Sequence, residues 1–301
     1  MISLILAKKI LSLFLVMALG IVLVRCGIVR SRDSKVLSMI SLYLVMPCVI
    51  ISSFQVKYQP EILNGLLLAL ATAVLLHLVL IVVVGFLGKV LKLDGVEETS
   101  LIYSNAGNLI IPIVTAILGK EWVIYTSAFL SVQLFLLWSH AKMKLDLKKI
   151  LTNINMIAIF AGVLLFLLQI QLPAPVQDAV DSISSMVGPM GMLILGMLIA
   201  EMDLKKLMSY HRLWWITLLR LVGIPLIGIV LLKYSGLAAL VPEGRTILLV
   251  TLLAICTPSA STLTQMAQVY GKDADYASAI NVVTTLLCIV TMPLMVALYQ
   301  M

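Results

Sequence analysis

Two short stretches place polar side chains, glycine and proline inside otherwise apolar sequence. The first is Ser104-Asn105-Ala106-Gly107-Asn108-Leu109-Ile110-Ile111-Pro112; the second is Thr257-Pro258-Ser259-Ala260-Ser261, followed by Thr262, Thr264 and Gln265. Asn105 and Asn108 offer amide donors and acceptors, and Thr257, Ser259 and Ser261 offer hydroxyls. Gly107 permits close backbone approach, while Pro112 leaves the carbonyl of Asn108 without its helical partner. This chemistry suits binding more than bond-making. If two such breaks meet, half-helix N-termini and neutral donors converge on one point, which favours a carboxylate or another small anion. The competing reading is packing, because Ser, Thr, Gly and Pro also join ordinary membrane helices.

A second group of polar residues is scattered through other apolar runs. His77 and Arg220 are ionisable, and ionisable groups within a membrane are functional candidates by default. Arg220 is a candidate for attracting an anion, for bracing a broken helix, or for snorkelling to the interface. His77 is a candidate for proton coupling or for a structural hydrogen bond. Gln133 and Asn281 are lone polar residues of the kind that hydrogen-bond between helices, with coupling as the alternative. Pro47 and Pro189 bend or unwind their runs and are candidates for the opposite wall of a cavity. Asp181 and Glu201 fall at the ends of runs, where solvation is the expected role.

Enzyme signatures are missing: the chain has no His-Glu-x-x-His, Gly-x-Ser-x-Gly, Walker loop or Rossmann fingerprint. Cys26, Cys48, Cys256 and Cys288 have no metal-ligand spacing, and the methionines are unpaired, so neither catalytic residues nor metal ligands are expected.

These residues need helices to hold them. The 301-residue chain is 62% hydrophobic and 12% charged, with a mean hydropathy of +1.14; soluble domains carry about 25% charged residues. Polar punctuation divides it into ten runs, roughly 8–25, 36–54, 62–88, 97–117, 122–140, 152–170, 179–200, 211–233, 245–268 and 276–299. A bilayer crossing needs about 20 residues. The N-terminal run follows Lys8 and Lys9 but no small-x-small site follows it, so it reads as a retained first helix. Net charge is +7, and in such a chain basic residues mark cytoplasmic loops facing anionic lipid, not a nucleic-acid partner. With ten spans, fourteen Lys and Arg fall on one side, including the linker Lys142 to Lys149, and six on the other. The bias places the fourteen in the cytoplasm and both termini outside.

The halves resemble each other. Ala18 to Leu23 recurs 142 positions later as Phe160 to Leu165, and Pro47 recurs as Pro189. Gly119-Lys120-Glu121 recurs 152 positions on as Gly271-Lys272-Asp273, which lays Asn105 on Thr257 and Ala106 on Pro258. Five spans per repeat force the repeats into opposite orientations. The expected fold is therefore an all-α polytopic membrane protein of two inverted five-helix repeats, residues 1–140 and 152–301, joined by the basic linker 141–151.

On Asn105-Ala106-Gly107-Asn108 with Pro112, Thr257-Pro258-Ser259-Ala260, Pro47, Asn155 through Gly162 and Leu172-Pro173-Ala174-Pro175 leading to Gly188-Pro189, the chain resembles the auxin efflux carrier family. The likeness is to its short bacterial form, often labelled malate or malonate permease-like, and covers essentially the whole chain. It implies a scaffold of spans one, two, six and seven and a moving bundle of spans three to five and eight to ten. In that bundle the fourth and ninth helices cross, and access alternates by an elevator-like shift. It also implies anion binding by Asn105, Asn108 and the turn from Thr257 to Ser261. Thr257 stands where plant members carry asparagine, and their long cytoplasmic loop is absent. A small mono- or dicarboxylate is therefore the expected substrate, carried across a bacterial cytoplasmic membrane. Membrane lipid surrounds the protein, and a second copy of the chain is a candidate partner. No cofactor is implied, and coupling to protons or sodium stays open. The alternatives are a sodium-coupled symporter of the bile-acid type and a non-transporting membrane sensor.

Overall fold

A computed structural model describes residues 2–140, 152–202, 207, 209–269 and 272–301. The basic linker 141–151 and Gly271 of the repeat match lie outside the described residues, as do the side chains of Asn108 and Gln265. Among the described residues every regular element is helical, apart from one isolated antiparallel bridge between Ser104 and Ser259. In chain order the helices are α1 (Ile2–Arg25), α2 (Ser31–Ser53), α3 (Pro60–Leu91), α4 (Gly95–Ile102), α5 (Ile111–Ile117), α6 (Val123–His140) and α7 (Ile154–Leu167). They continue with α8 (Ala174–Ala200), α9 (His211–Tyr234), α10 (Gly244–Cys256), α11 (Thr262–Val269) and α12 (Ala274–Gln300).

Among the described residues, α2, α3, α8, α9 and α12 are long and apolar enough to cross a bilayer, and α7 and α10 are shorter apolar helices. Large apolar side chains such as Leu15 and Leu19 on α1 and Val82 and Phe86 on α3 face outward, whereas His77, Gln133, Arg220 and Asn281 are buried. An apolar exterior with the polar and ionisable side chains turned inside the helix bundle is the distribution that lipid demands. The chain is an all-α membrane protein.

Helix ends follow local chemistry. The run expected over 62–88 is α3, begun by Pro60 at its first position and ended by Lys92 in the left-handed conformation. The run expected over 97–117 is divided: α4 stops at Ile102, residues 103–105 are not helical, and a π turn at Ala106–Ile110 leads into α5. The run expected over 245–268 divides in the same way between α10 and α11. Two further π turns, Ser41–Val45 in α2 and Leu219–Gly223 in α9, share a feature with the first. Pro47, Pro112 and Pro225 each stand two residues past a π turn. A proline lacks its N–H and presses on the carbonyl four residues back; widening the preceding turn takes up that clash.

Two tight contacts hold α1 and α7 to their neighbours. A Cβ on Gly20 of α1 would sit 2.5 Å from the Leu193 carbonyl of α8, and one on Gly196 would strike the Met17 carbonyl. The α1 and α8 backbones therefore touch. On the other pair, the Phe54 ring following α2 covers Gly162 of α7. An offset of 142 carries Gly20 onto Gly162 and Phe54 onto Gly196, so one contact is the image of the other. Elsewhere α3 packs against α6 and α10, α9 against α10, and α11 against α12.

Candidate functional site

The two breaks meet. Asn105 N donates to Pro258 O at 2.8 Å, and Ala260 N donates to Tyr103 O at 3.1 Å, so each break supplies the other with a strand partner across the Ser104–Ser259 bridge. These bonds answer the need created by interrupting two helices deep in an apolar interior, where an unpaired backbone group is expensive. The pairing is reciprocal, and reciprocity relates Ser104 to Ser259 and Asn105 to Ala260, an offset of 155. The Gly-Lys match predicts 152 and lays Asn105 on Thr257. The difference of three residues arises because register is set by main-chain hydrogen bonds at the bridge, not by spacing from a distant turn.

Side chains from neighbouring helices satisfy what remains. Gln133 of α6 accepts from Ser104 N at 2.9 Å and Ser104 Oγ at 2.7 Å through Oε1, and donates from Nε2 to Ser104 O at 2.8 Å. On the second break the same work is divided: Asn281 Nδ2 donates to Ser259 O at 2.6 Å, and Ser259 N donates to Thr284 Oγ1 at 3.2 Å. Ser53 and Ser127 share a further buried hydroxyl contact at 2.8 Å between α2 and α6.

Arg220 spans both breaks. Its π turn turns the side chain inward, where it is 0% exposed. Nη1 donates to Leu101 O at 2.9 Å and Nη2 to Thr257 O at 2.8 Å, with Pro258 O at 3.4 Å. Leu101 lies at the C-terminal end of α4, and Thr257 directly follows α10. The guanidinium therefore sits where two sets of unpaired carbonyls and two negative helix ends converge. His77 of α3 is also fully buried, its ring tilted 45° against Phe129 with ring centroids 4.9 Å apart. Its Nδ1 meets the Ala73 carbonyl of its own helix at 2.8 Å, and the ring also lies beside the Gln133 side chain.

Of the residues singled out from sequence, Thr257, Pro258 and Ser259 are closed off from solvent, and the Thr257 hydroxyl turns back to Ala254 O at 2.7 Å. Asn105 is 8% exposed and faces Ser261, whose Oγ lies 3.5 Å from Asn105 Oδ1. Gly107 lies against the Met46 methyl of α2, where an added Cβ would come to 2.8 Å. Pro112 packs on Gly188, and with Pro189 it lines a cavity of about 440 Å³ between α5 and the helices α1, α2 and α8. Pro47 is buried beyond its π turn and lines neither this cavity nor the second one.

That cavity is richer in polar groups than its prolines suggest. Lys9, Lys120 and Asp181 line it together with hydroxyls from Ser12, Ser52 and Thr115. A second cavity, of about 340 Å³, lies where Ser31, Glu201, Tyr210 and Asp275 approach one another. Both touch α8, one near its start and one at its end. From Asp181 at the first cavity to Glu201 at the second, α8 rises about 30 Å, so the two cavities lie towards opposite ends of α8.

Glu97 is a site residue that does not stand out in the sequence. It is 1% exposed and accepts from Arg212 through both oxygens, at 2.8 and 2.9 Å, and from Tyr276 Oη at 3.0 Å. It thereby fastens α4 to α9 and α12. Arg212 also reaches Leu91 O at the end of α3 and Lys92 O just beyond it. The signal was present as Asp94-x-x-Glu97: Asp94 caps α4 by accepting from Val96 N and Glu97 N, and Glu97 returns the bond to Asp94 N at 3.0 Å. This is a capping box.

A family model described as "Membrane transport protein" matches the chain over residues 5–145 and again over 139–296. A comparison with curated proteins gives no match. Paired helix breaks inside an all-α membrane protein agree with that match, and the chain belongs to this membrane transport family, that of the auxin efflux carriers.

Proposed function

We propose that this protein is a secondary transporter that moves a small organic anion, a mono- or dicarboxylate, across the cytoplasmic membrane by alternating access. The observation that carries this reading is the reciprocal pairing of the two breaks, Asn105 N to Pro258 O and Ala260 N to Tyr103 O, in a chain of a transport family. Backbone irregularity at membrane depth persists where it is buried in protein or lines a water-filled cavity, and secondary transporters bind substrate at such breaks. The mirrored contacts Gly20–Gly196 and Gly162–Phe54 support two inverted repeats of five spans, with α4 and α5 forming one broken span and α10 and α11 another. In this reading α1, α2, α7 and α8 form the scaffold, and α3 to α6 with α9 to α12 form the bundle that shifts against it.

Asn105, Ser261, Gly107 and Pro112 form the bundle's contribution to the substrate path, and Pro189 the scaffold's. The two cavities against α8 serve as the approaches from either side. With the basic residues cytoplasmic and both termini outside, the Lys9 and Lys120 cavity faces the extracytoplasmic side. Arg220 bears on coupling. A sodium symporter would need a cation site among unpaired carbonyls, and at the crossover a fixed guanidinium already meets them. Uniport or proton coupling is therefore favoured over sodium coupling at this point.

Purified protein in liposomes is expected to take up labelled malonate or a similar carboxylate under a pH gradient or voltage, without requiring sodium. Asn105→Ala should reduce uptake about tenfold or more, as loss of an oriented polar contact in a transport path. Failure to move any carboxylate under pH, sodium and voltage gradients alike would remove the proposal.

A further inference from the structure

The Asp181 carboxylate is held as a bound carboxylate ligand would be. Lys120 Nζ pairs with Oδ2 at 2.6 Å, Ser52 Oγ donates to Oδ1 at 2.6 Å, and Gln177 Nε2 donates to Oδ1 at 2.8 Å. The three donors come from three places: the turn between α5 and α6, α2, and α8 itself. Lys120 and Ser52 together form a carboxylate receptor that α8 fills with its own side chain. The geometry of the Lys120 turn is not accidental, since Gly119 has φ +112 and the ideal Cβ position there lies 2.5 Å from Glu121 Oε1. Only glycine takes that conformation without strain.

The receptor opens into the cavity of about 440 Å³ that also holds Lys9. Lys9 has no carboxylate partner among the described residues, so the cavity carries one satisfied cation and one unsatisfied one. The Lys120–Asp181 pair is accessible, with side chains 52% and 35% exposed, and pairs of this kind are weak and exchange readily. Such a pair is a poor structural rivet but a good competitor for an incoming anion.

We propose that Asp181 is a tethered stand-in for a substrate carboxylate, displaced from Lys120 and Ser52 when substrate enters, and that Lys9 takes the second carboxylate of a dicarboxylate. In the mobile-bundle reading this exchange has a mechanical consequence. Lys120 belongs to the bundle and Asp181 to the scaffold, so displacing Asp181 releases the tie between them. The inference rests on the transporter reading, narrows its substrate to a dicarboxylate and names the group that substrate must displace.

The test is malonate and acetate binding to the detergent-purified full chain, read as ligand-dependent thermal stabilisation, beside malonate uptake in liposomes. Asp181→Asn should bind malonate about fivefold more tightly than the wild type, the size of a weak exposed pair. Asp181→Glu, which keeps the competing charge, should not tighten binding. Lys120→Gln should weaken malonate about fivefold or more, and Lys9→Gln should remove the preference for malonate over acetate. A wild type that transports malonate while Asp181→Asn leaves its affinity unchanged or weaker overturns the stand-in and leaves the transporter reading intact. If Asp181→Asn does not fold, undiminished malonate binding by Lys120→Gln overturns it equally. A wild type that neither binds nor moves carboxylates overturns both.

Discussion

The two helix breaks are alike in backbone and different in side chains. Residues 103–105 and 257–260 exchange one hydrogen bond each way, and each is clamped from a neighbouring helix at both its N–H and its carbonyl. On the first break one glutamine, Gln133, does both; on the second, Asn281 and Thr284 divide them. The larger asymmetry lies behind the clamps. Arg220 reaches the carbonyl ends of both breaks, whereas His77 in α3, one position short of the matching place at an offset of 142, turns its Nδ1 to the Ala73 carbonyl of its own helix. Duplicated backbones thus keep a shared geometry, while the side chains that support them are free to specialise. One half supplies the fixed charge for both.

The largest test of that difference is Arg220→Met. It leaves the Leu101 and Thr257 carbonyls unpaired in an apolar interior, and should cost about 3–5 kcal/mol, measured by SDS-induced unfolding in mixed micelles. A cost under about 1 kcal/mol would mean that the breaks do not depend on the guanidinium. Gln133→Leu comes next. It removes three bonds to Ser104, including the partner of a buried N–H, and should cost about 2–4 kcal/mol by the same measurement.

Asn281→Ala should cost about 1–2 kcal/mol, and Thr284→Val about 1 kcal/mol, because each removes only part of the second clamp. If the double variant costs no more than Asn281→Ala alone, the division between them is wrong. The smallest effect belongs to His77→Phe. Its Nδ1 contact is to a carbonyl already inside a helix, so the change should cost under about 1 kcal/mol. If His77 couples transport to protons, the same variant loses the pH dependence of malonate uptake while malonate still raises its melting temperature. A loss of stability approaching that of Arg220→Met would erase the contrast between the two.

The tightest scaffold contact provides a separate check, one that leaves the crossover untouched. Gly196→Val would drive a side chain into the Met17 carbonyl of α1. Overpacking at a backbone contact costs about 1–3 kcal/mol. It should lower the melting temperature without changing the ratio of malonate to acetate affinity.

Much of this arrangement is readable from residue order alone. Apolar runs with polar punctuation locate the helices, because lipid tolerates little else over about 20 residues. Asn105 to Pro112 and Thr257 to Ser261 announce the breaks for the same reason. The single buried residues Gln133, Asn281 and Arg220 stand out because each is costly where it sits. Asp94-x-x-Glu97 was legible too, as a helix start, but nothing local says that Glu97 also receives Arg212 and Tyr276.

Other features depend on chain segments far apart in sequence. The register of the crossover, Ser104 on Ser259, follows from main-chain bonds between residues 155 positions apart, and a match taken from the turns misses it by three. The inward turn of Arg220 depends on a π turn and on carbonyls from two other helices, so spacing alone could not choose between bracing and snorkelling. Asp181 is the clearest case. By sequence it is a charge at a helix end, where water is the default partner. Only when α2, α8 and the Lys120 turn come together does it become a carboxylate held by three donors at the mouth of a cavity. Composition and periodicity determine which residues lie in the membrane and where the helices fail. Tertiary structure alone decides which polar groups meet, because each hydrogen bond depends on the distance and direction between segments that periodicity does not relate.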